Sequence, residues 1–561
     1  MKSLCLKGSL LGLVVTQGLA LADTKMPINT WLRRYGDTDQ SFAKVMDEPL
    51  VKRLVEEGPA GEKPSERSSR DKNLVRGKRV NLEKVLEAKK AEREKLKLLV
   101  EERDERGRVT KKHTVTTTQI RSGRAPIQYG DEPWRLMSPG EKLYTNLFEM
   151  EKANLSAGEV AVQPWSDDYW GIYRGQLGAR YGDPVFRNVS GDRWKPYHDV
   201  VKATPAIDLL MKGSSEGGRA TDRLSPSEKY DLLVGDRNMT LTNRQWEAPR
   251  GYSPSGGTVE TWMGICHGWA PAAYMFDRPV KGVEVNSVID GKPIYFYPAD
   301  VKALASYIWA TVAPPARFVG GRCNDKDPRK NAAGRILSQE CFDTNPGSWH
   351  QAVVSKVGAA KRSFVIDATF DYEVWNHPLK SYKISYFNPQ TMQSGPLSSS
   401  IVPVQSFTKD RFPGLRGNAA KVVGVVMDIV YVVETHPTLL DTDAEYRDGL
   451  TSMRLTYDLE LDDRGNIIGG EWYTNAHPDF LWTFDPEQQA ATSYESAARG
   501  EWTGSTPPAT WTMAAQRASA SQSAPLLKVV AELVRRTSGK EAPRRPRHQA
   551  GPSSFGGNPG R

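Results

Sequence analysis

Gly264-Ile-Cys-His-Gly-Trp-Ala-Pro-Ala-Ala273 is the stretch on which the reading of the fold turns, because it sets a lone cysteine at the start of an apolar, helix-like run. The chain has four cysteines, Cys5, Cys266, Cys323 and Cys341. Cys5 belongs to an N-terminal segment with Lys2 and Lys7, an apolar run from Gly8 to Leu21 and a cleavable Ala20-Leu21-Ala22 before Asp23. That is the pattern of a secretory signal peptide over residues 1–22, too short for a membrane span and without the spacing of a lipid-anchored cysteine. In an oxidising compartment Cys323 and Cys341 close a modest loop, a staple worth about 3 kcal/mol in the chain-entropy model. Cys266 is then the odd thiol. A buried structural thiol is the alternative reading.

Composition agrees with an exported chain. The hydrophobic fraction is 39%, and beyond residue 21 no apolar run is long enough to cross a bilayer. Losing Lys2 and Lys7 with the signal lowers the formal charge from +9 to +7. Much of this surplus lies near the ends, mixed with acids, which argues for a solvated surface and against a nucleic-acid partner.

Four segments are expected: 1–22, the signal peptide; 23–130, charged and poor in aromatics; 131–500, rich in Trp, Tyr and Gly, where a core is buried; and 501–561, a low-complexity tail with a basic end. In the second, Glu57-Gly-Pro-Ala-Gly-Glu-Lys-Pro-Ser-Glu reads as a linker, and Leu82, Val85, Leu86, Leu96, Leu99 and Val100 predict one long, narrow-striped helix. The segment is expected to act as a removable inhibitory pro-segment, with an anchoring arm or a solvated helix as alternatives. In the last, a short helix is predicted over Leu526–Val534.

Within the core, helices are predicted after Cys266, with Pro271 tolerable in a first turn, and from Pro298. Strands are predicted at 351–357, 363–368, 421–434, 453–461 and 467–473, the last two joined as a hairpin by Asp463-Arg-Gly-Asn. The fold class is α+β.

A thiol nucleophile needs a lowered pKa, which a helix N-terminus and an imidazole provide, and the imidazole needs an orienting acceptor. Gly347-Ser-Trp-His350 opens one predicted strand and Ser363-Phe-Val-Ile-Asp367 closes the next. If the two pair through 356–362, His350 and Asp367 become cross-strand neighbours. Cys266, His350 and Asp367 then stand in the order and approximate spacing of a papain-like transglutaminase core.

Four longer blocks carry a closer resemblance. They are Asp168-Tyr-Trp-Gly-Ile-Tyr-Arg-Gly-Gln-Leu-Gly-Ala-Arg-Tyr, Cys266-His-Gly-Trp-Ala-Pro-Ala-Ala, Val374-Trp-Asn-His-Pro-Leu-Lys-Ser-Tyr-Lys and Gly469-Gly-Glu-Trp-Tyr-Thr-Asn-Ala-His-Pro-Asp-Phe-Leu-Trp. Spanning roughly Trp165 to Trp482, they resemble the transglutaminase elicitor family of oomycete cell walls. The resemblance implies a calcium-stimulated acyl transfer from glutamine to lysine on protein substrates, with Cys266, His350 and Asp367 in the catalytic roles. The Val374 block is similar to a surface segment that plants perceive, and departs from it at His377, Leu379 and Ser381.

The mechanism expected on this reading has Cys266 attack a glutamine carboxamide while His350 moves the protons and Asp367 holds the imidazole. The Cys266 backbone N–H is one oxyanion donor, and Trp262, Trp269 and Trp349 are candidates for walling the site or adding an indole N–H, core packing being their alternative use. His267 reads as packed or supporting, and His477 and Trp472 as structural or substrate-groove residues. Zinc held by Cys266, His267, Cys323 and Cys341 is disfavoured for lack of short ligand pairs. The sequence itself requires no cofactor. Asp441, Asp443 and Glu445 are weighed as calcium ligands and read as surface charge, lacking the glycine and terminal glutamate of an EF-hand. The competing functions are a cysteine peptidase or deamidating amidohydrolase with the same triad, and a non-catalytic wall-associated recognition protein.

Overall fold

The computed structural model describes residues 130–539 except 216–217, 322–342, 369–372, 413–415 and 474–476, together with residue 127 and a short backbone ladder at 97–103 and 109–116. The signal segment 1–22, most of 23–130, Cys323, Cys341 and the tail after 539 lie outside those residues.

β1 (Lys97–Arg103) pairs antiparallel with β2 (Val109–Thr116). Leu99 and Val100, predicted as the end of a striped helix, are strand residues instead. The Val/Thr-rich 109–116 run suits a β ladder and supplies the partner that a one-helix reading omits.

The main sheet carries, in chain order, β3 (Arg317–Gly320), β4 (Val365–Asp367), β5 (Asn376–Asn388), β6 (Lys421–Val433), β7 (Gly449–Leu461), β8 (Ile467–Trp472) and β9 (Phe480–Thr483). Across the sheet they run β8-β7-β6-β5-β4-β9-β3, and every neighbouring pair is antiparallel. The predicted hairpin is β7–β8. Its turn is held by Asp462, whose side chain accepts the backbone N–H groups of Arg464 and Asn466, with Gly465 in the left-handed region at φ 88°.

Successive strand residues face opposite sides, so the sheet separates two cores. Val365, Val432, Phe480 and Trp482 belong to the first, with Cys266, Trp269 and Ile308. Ile366, Tyr431, Tyr457 and Leu481 belong to the second, with Trp349, Val353 and Trp472.

On the first side lie α1 (Pro226–Leu233), opened by a Ser225–Glu228 capping box with proline in its first turn, then α2 (Cys266–Met275) and α3 (Pro298–Val312). A buried ion pair of 2.6 Å, Lys229 to Asp300, ties α1 to α3. α2 lies so close to α3 that a Cβ on Gly268 would come within 2.2 Å of the Ser306 carbonyl oxygen. Pro271 sits in the interior of α2, past its first turn, where it removes the N–H that would bond the His267 carbonyl.

On the second side is α4 (Pro346–Val353), which continues into a π turn at Val354–Ala359. The strand predicted at 351–357 is therefore a helix. Asn345 caps it by accepting the Gly347 N–H at 2.8 Å, and Pro346 occupies the first turn, where its missing N–H costs nothing.

The segment after 500, expected to be low-complexity with one short helix, carries α5 (Thr512–Gln522) and α6 (Leu527–Thr537). Val529, Val530 and Leu533 of α6 are buried in the first core. Glu495 accepts the N–H groups of Leu527 and Lys528, so α6 is capped from outside its own sequence. Folded structure continues to 539. Among the described residues no helix is long and apolar enough to cross a membrane.

Candidate functional site

Cys266 is the first residue of α2, where backbone N–H groups lack intrahelical partners. Two glycines let it sit there. A Cβ on Gly264 would meet the Tyr169 carbonyl oxygen at 2.2 Å, and that oxygen accepts the Ile265 N–H at 2.7 Å, locking the turn that leads into the helix. Gly268 permits the close seat on α3 described above.

The thiol, 6% exposed, donates to the Val374 carbonyl oxygen at 3.8 Å and accepts from Asn376 Nδ2 at 3.5 Å. Asn376 Oδ1 in turn accepts from the indole Nε1 of Trp482 at 2.9 Å. Asp367, 1% exposed, is the cross-strand partner of Asn376, and its Oδ1 accepts the Trp375 N–H at 3.0 Å. Tyr169 and Trp375 lie ring to ring, centroids 5.7 Å apart, both only partly buried. Each of the four blocks quoted from the sequence contributes one residue here: Cys266 carries the thiol, Asn376 touches it, Trp482 holds Asn376, and the Tyr169 carbonyl holds the turn that leads into the thiol's helix.

Burial pushes the Cys266 thiol up to about 11, the Asn376 hydrogen bonds oppose that, and the charges of Glu434 and Asp367 add to it. The resting group is a neutral thiol. Alkylation by iodoacetamide should be slow at pH 7, where little thiolate exists, and should climb steadily up to about pH 11. A rate that levels off by pH 8 would contradict the buried, acid-flanked thiol.

His350 is elsewhere. It lies on α4, fully buried, with Nδ1 and Tyr457 Oη sharing a hydrogen bond of 2.8 Å and the two rings edge to face. Tyr457 belongs to the second core and Cys266 to the first, so the sheet separates the imidazole from the thiol. The expected cross-strand pairing of His350 with Asp367 does not form, because residues 346–359 are helical and leave β4 to pair with β5 and β9. The structure thus brings Cys266 and Asp367 to one face and leaves His350 on the other.

Burial holds His350 down to about 3, well below its free value. The unfolded chain therefore binds the extra proton across the interval between about 6.5 and 3. The stabilisation is complete above about pH 6.5 and is lost as the pH falls through that window, at about 1.4 kcal/mol per unit. Urea midpoints for wild type and His350→Gln between pH 7 and 5 should converge on acidification. Parallel curves would show that His350 is not the titrating group.

The imidazole that does approach the helix of the thiol is His377, on β5 beside Asn376. It stands edge-on to Trp269 at 5.8 Å, with Nδ1 3.0 Å from the Val432 carbonyl oxygen and Nε2 3.8 Å from Glu434 Oε1. Burial lowers its pKa and Glu434 opposes the shift. His267 is exposed, with its ring toward the Ala310 backbone of α3, and partial burial of that ring lowers its pKa.

The three tryptophans picked from sequence supply no indole N–H to the thiol. That of Trp262 is spent on Glu260 and that of Trp269 on the Trp165 carbonyl, and Trp349 is buried on the far side of the sheet. The indole that serves the site is Trp482. It lies on β9 on the same face as Phe480, in a strand the sequence reading did not include and whose uniformly buried residues carry no alternation to reveal its facing. His477 and Trp472 stack on each other, centroids 4.6 Å apart, with Trp472 in the second core, away from the thiol. Asn376, His377, Pro378 and Leu379 are buried, so the Val374 block is here largely an interior strand.

Among the described residues two acidic groups bear on calcium, which takes six to eight oxygen ligands. Asp443 is engaged by Arg278 at 3.0 Å and Lys302 at 2.7 Å, so this carboxylate of the 441–445 loop is balanced from within. The buried set Asp343, His477 and Asp479, with ligand atoms within 4.8 Å of one another, brings two carboxylates and one imidazole nitrogen together. Of the four residues weighed for zinc, Cys266 and His267 lie among the described residues and Cys323 and Cys341 do not.

A family model described as transglutaminase elicitor matches residues 137–497. Among solved structures the chain is similar to the GP42 transglutaminase from Phytophthora sojae, at 20% identity over 71% of this chain and 94% of that one, with a TM-score of 0.44. No curated protein matches the chain.

Proposed function

From its membership of the transglutaminase elicitor family, to which this chain belongs, we propose that it is an acyltransferase that joins a glutamine carboxamide to a primary amine through a thioester on Cys266. The observation that carries the reading is a thiol on a helix N-terminus touched by the Val374 block, with the other two family-like blocks holding Asn376 and the turn before Cys266.

In this reading Sγ attacks the carboxamide carbon, the C–N bond breaks, and ammonia leaves with the proton that the thiol gave up. A lysine amine then attacks the thioester, the C–S bond breaks, the sulfur recovers a proton and an isopeptide bond remains. Water in place of the amine gives the carboxylate, a net deamidation. The Cys266 backbone N–H, at the start of α2, faces the developing oxyanion. Proton transfer is assigned to Asp367, on the same face as the thiol and directly across from Asn376, rather than to His350 beyond the sheet. No step is routed through calcium. The substrates are proteins with accessible glutamine and lysine, and the chain is exported.

Partition of the acyl-enzyme tests the reading. With a glutamine-containing protein, ammonia release should be accompanied by stoichiometric incorporation of a labelled primary amine. Release without incorporation would make the protein a deamidase or amidohydrolase, and neither release nor incorporation would make it a binding protein.

A further inference from the structure

The side-chain amide of Asn376 is the polar group that touches the candidate nucleophile and that neither the motif reading nor the helix N-terminus accounts for. Its orientation is determined by its other end. An indole nitrogen only donates, so the Trp482 Nε1–H bond at 2.9 Å requires Oδ1 on the tryptophan side and leaves the NH₂ facing Sγ at 3.5 Å. Both partners are buried, Asn376 at 4% exposure and Trp482 at 8%, so no water shell competes for the amide and its bonds act at low dielectric.

An amide N–H directed at a resting thiol is a weak use of a buried donor. The carbon that Sγ attacks becomes bonded to sulfur, and its oxygen then lies two bonds from Sγ, within the sweep of a donor already in contact with that sulfur. Resting on the thioester reading of Cys266, we propose that Asn376 Nδ2 is the second hydrogen-bond donor to the tetrahedral oxyanion, beside the Cys266 backbone N–H, and that Trp482 is the positioning residue that keeps the amide from flipping.

Pre-oriented donors of this kind act on the charge that develops in the transition state, and loss of one costs about 10²–10³-fold in rate. Asn376→Ala should therefore slow acylation by that factor with KM little changed. Trp482→Phe keeps the ring and loses the N–H, freeing the amide to sample both orientations, and should cost about tenfold. Iodoacetamide alkylation of Cys266 should fall in both variants only by the thiolate lost with the amide's hydrogen bond to Sγ, a few-fold at most and well short of the loss in acylation, because displacement at a saturated carbon makes no oxyanion.

The experiment uses the full chain and two probes at one pH: p-nitrophenyl acetate for acylation, followed by nitrophenolate release and acetyl mass on Cys266, and iodoacetamide for alkylation. Selective loss of acylation supports the assignment. Equal loss with both probes overturns it, since the amide would then act on the thiolate itself, and so does unchanged acylation in Asn376→Ala. A wild-type protein that takes no acetyl group at Cys266 sinks the thioester reading instead, a result visible before any variant is made. Since Asn376→Ala strands the buried Trp482 N–H, at about 1–3 kcal/mol, Trp482→Phe serves as the variant that leaves no orphaned donor on the ring, and thermal melts of both accompany the rates.

Discussion

Cys266→Ala should abolish amine incorporation, a loss on the order of 10⁶-fold that places the rate below detection, because a covalent mechanism without its nucleophile has no second route to the acyl intermediate. The fold should survive. The side chain loses one sulfur atom from a site bordered by the Val374 carbonyl and the Asn376 amide, with Trp482 still bonded to Asn376 Oδ1. A melting temperature within a few degrees of wild type, together with no thioester mass after exposure to substrate, is the expected pair of results. Measurable amine incorporation by this variant would falsify the assignment of Cys266. His350→Gln is the informative contrast. The sheet separates His350 from the thiol, so its replacement should alter the acid stability described above and leave incorporation at pH 8 within a few-fold of wild type. Loss of incorporation in a folded His350→Gln protein would restore the sequence-based triad.

The second large effect is on stability. Arg416, itself buried, is forked between Asp458 at 2.8 and 2.9 Å and Asp410 at 2.6 and 3.0 Å, and reaches Glu460 at 3.3 Å. Asp458 and Glu460 are buried on β7. Burial pushes Glu460 up to about 9, the neighbouring Glu471 adds to the shift, and Arg416 opposes it. Arg416→Met keeps much of the side-chain volume and removes the guanidinium that pairs with these acids in the interior. It should destabilise the fold by about 3–5 kcal/mol at pH 7, the usual cost of breaking a buried pair by taking one partner. The deficit has a direction in pH. In the variant the carboxyl pKa values rise further, the folded state binds protons more readily, and the penalty should shrink as the pH is lowered to 5. Denaturant midpoints at both pH values read this out. A deficit under 1 kcal/mol, or one that grows on acidification, would mean that another cation balances the cluster.

Legibility followed the range of the interactions involved. The β7–β8 hairpin was readable because alternation and a polar turn are local features, and β6 because an apolar run of that length suits a strand covered on both faces. α2 and α3 were readable from apolar runs and, for α3, from proline in its first turn. The helix over Pro346–Val353 was legible in principle. Asn345 followed by Pro346 is a cap and first-turn signature, and the apolar Gln351–Val357 run outweighed it, since a short apolar stretch suits a buried helix as well as a strand.

By itself the sequence determined that Cys266 opens a helix, that Asp367 ends a strand, that the chain mixes helices with antiparallel strands, and that four aromatic-rich blocks belong together. Only the tertiary structure decided which side chains meet the thiol. Asn376 lies 110 residues from Cys266 along the chain and Trp482 another 106 beyond, and the pairing order of β4, β5 and β9 brings them together. It also decided that His350 and Cys266 take opposite faces of the sheet. The cause is physical: a helix or a strand buries its face against whatever the sheet order presents, and that order arises from backbone pairing between distant segments, which no local pattern encodes.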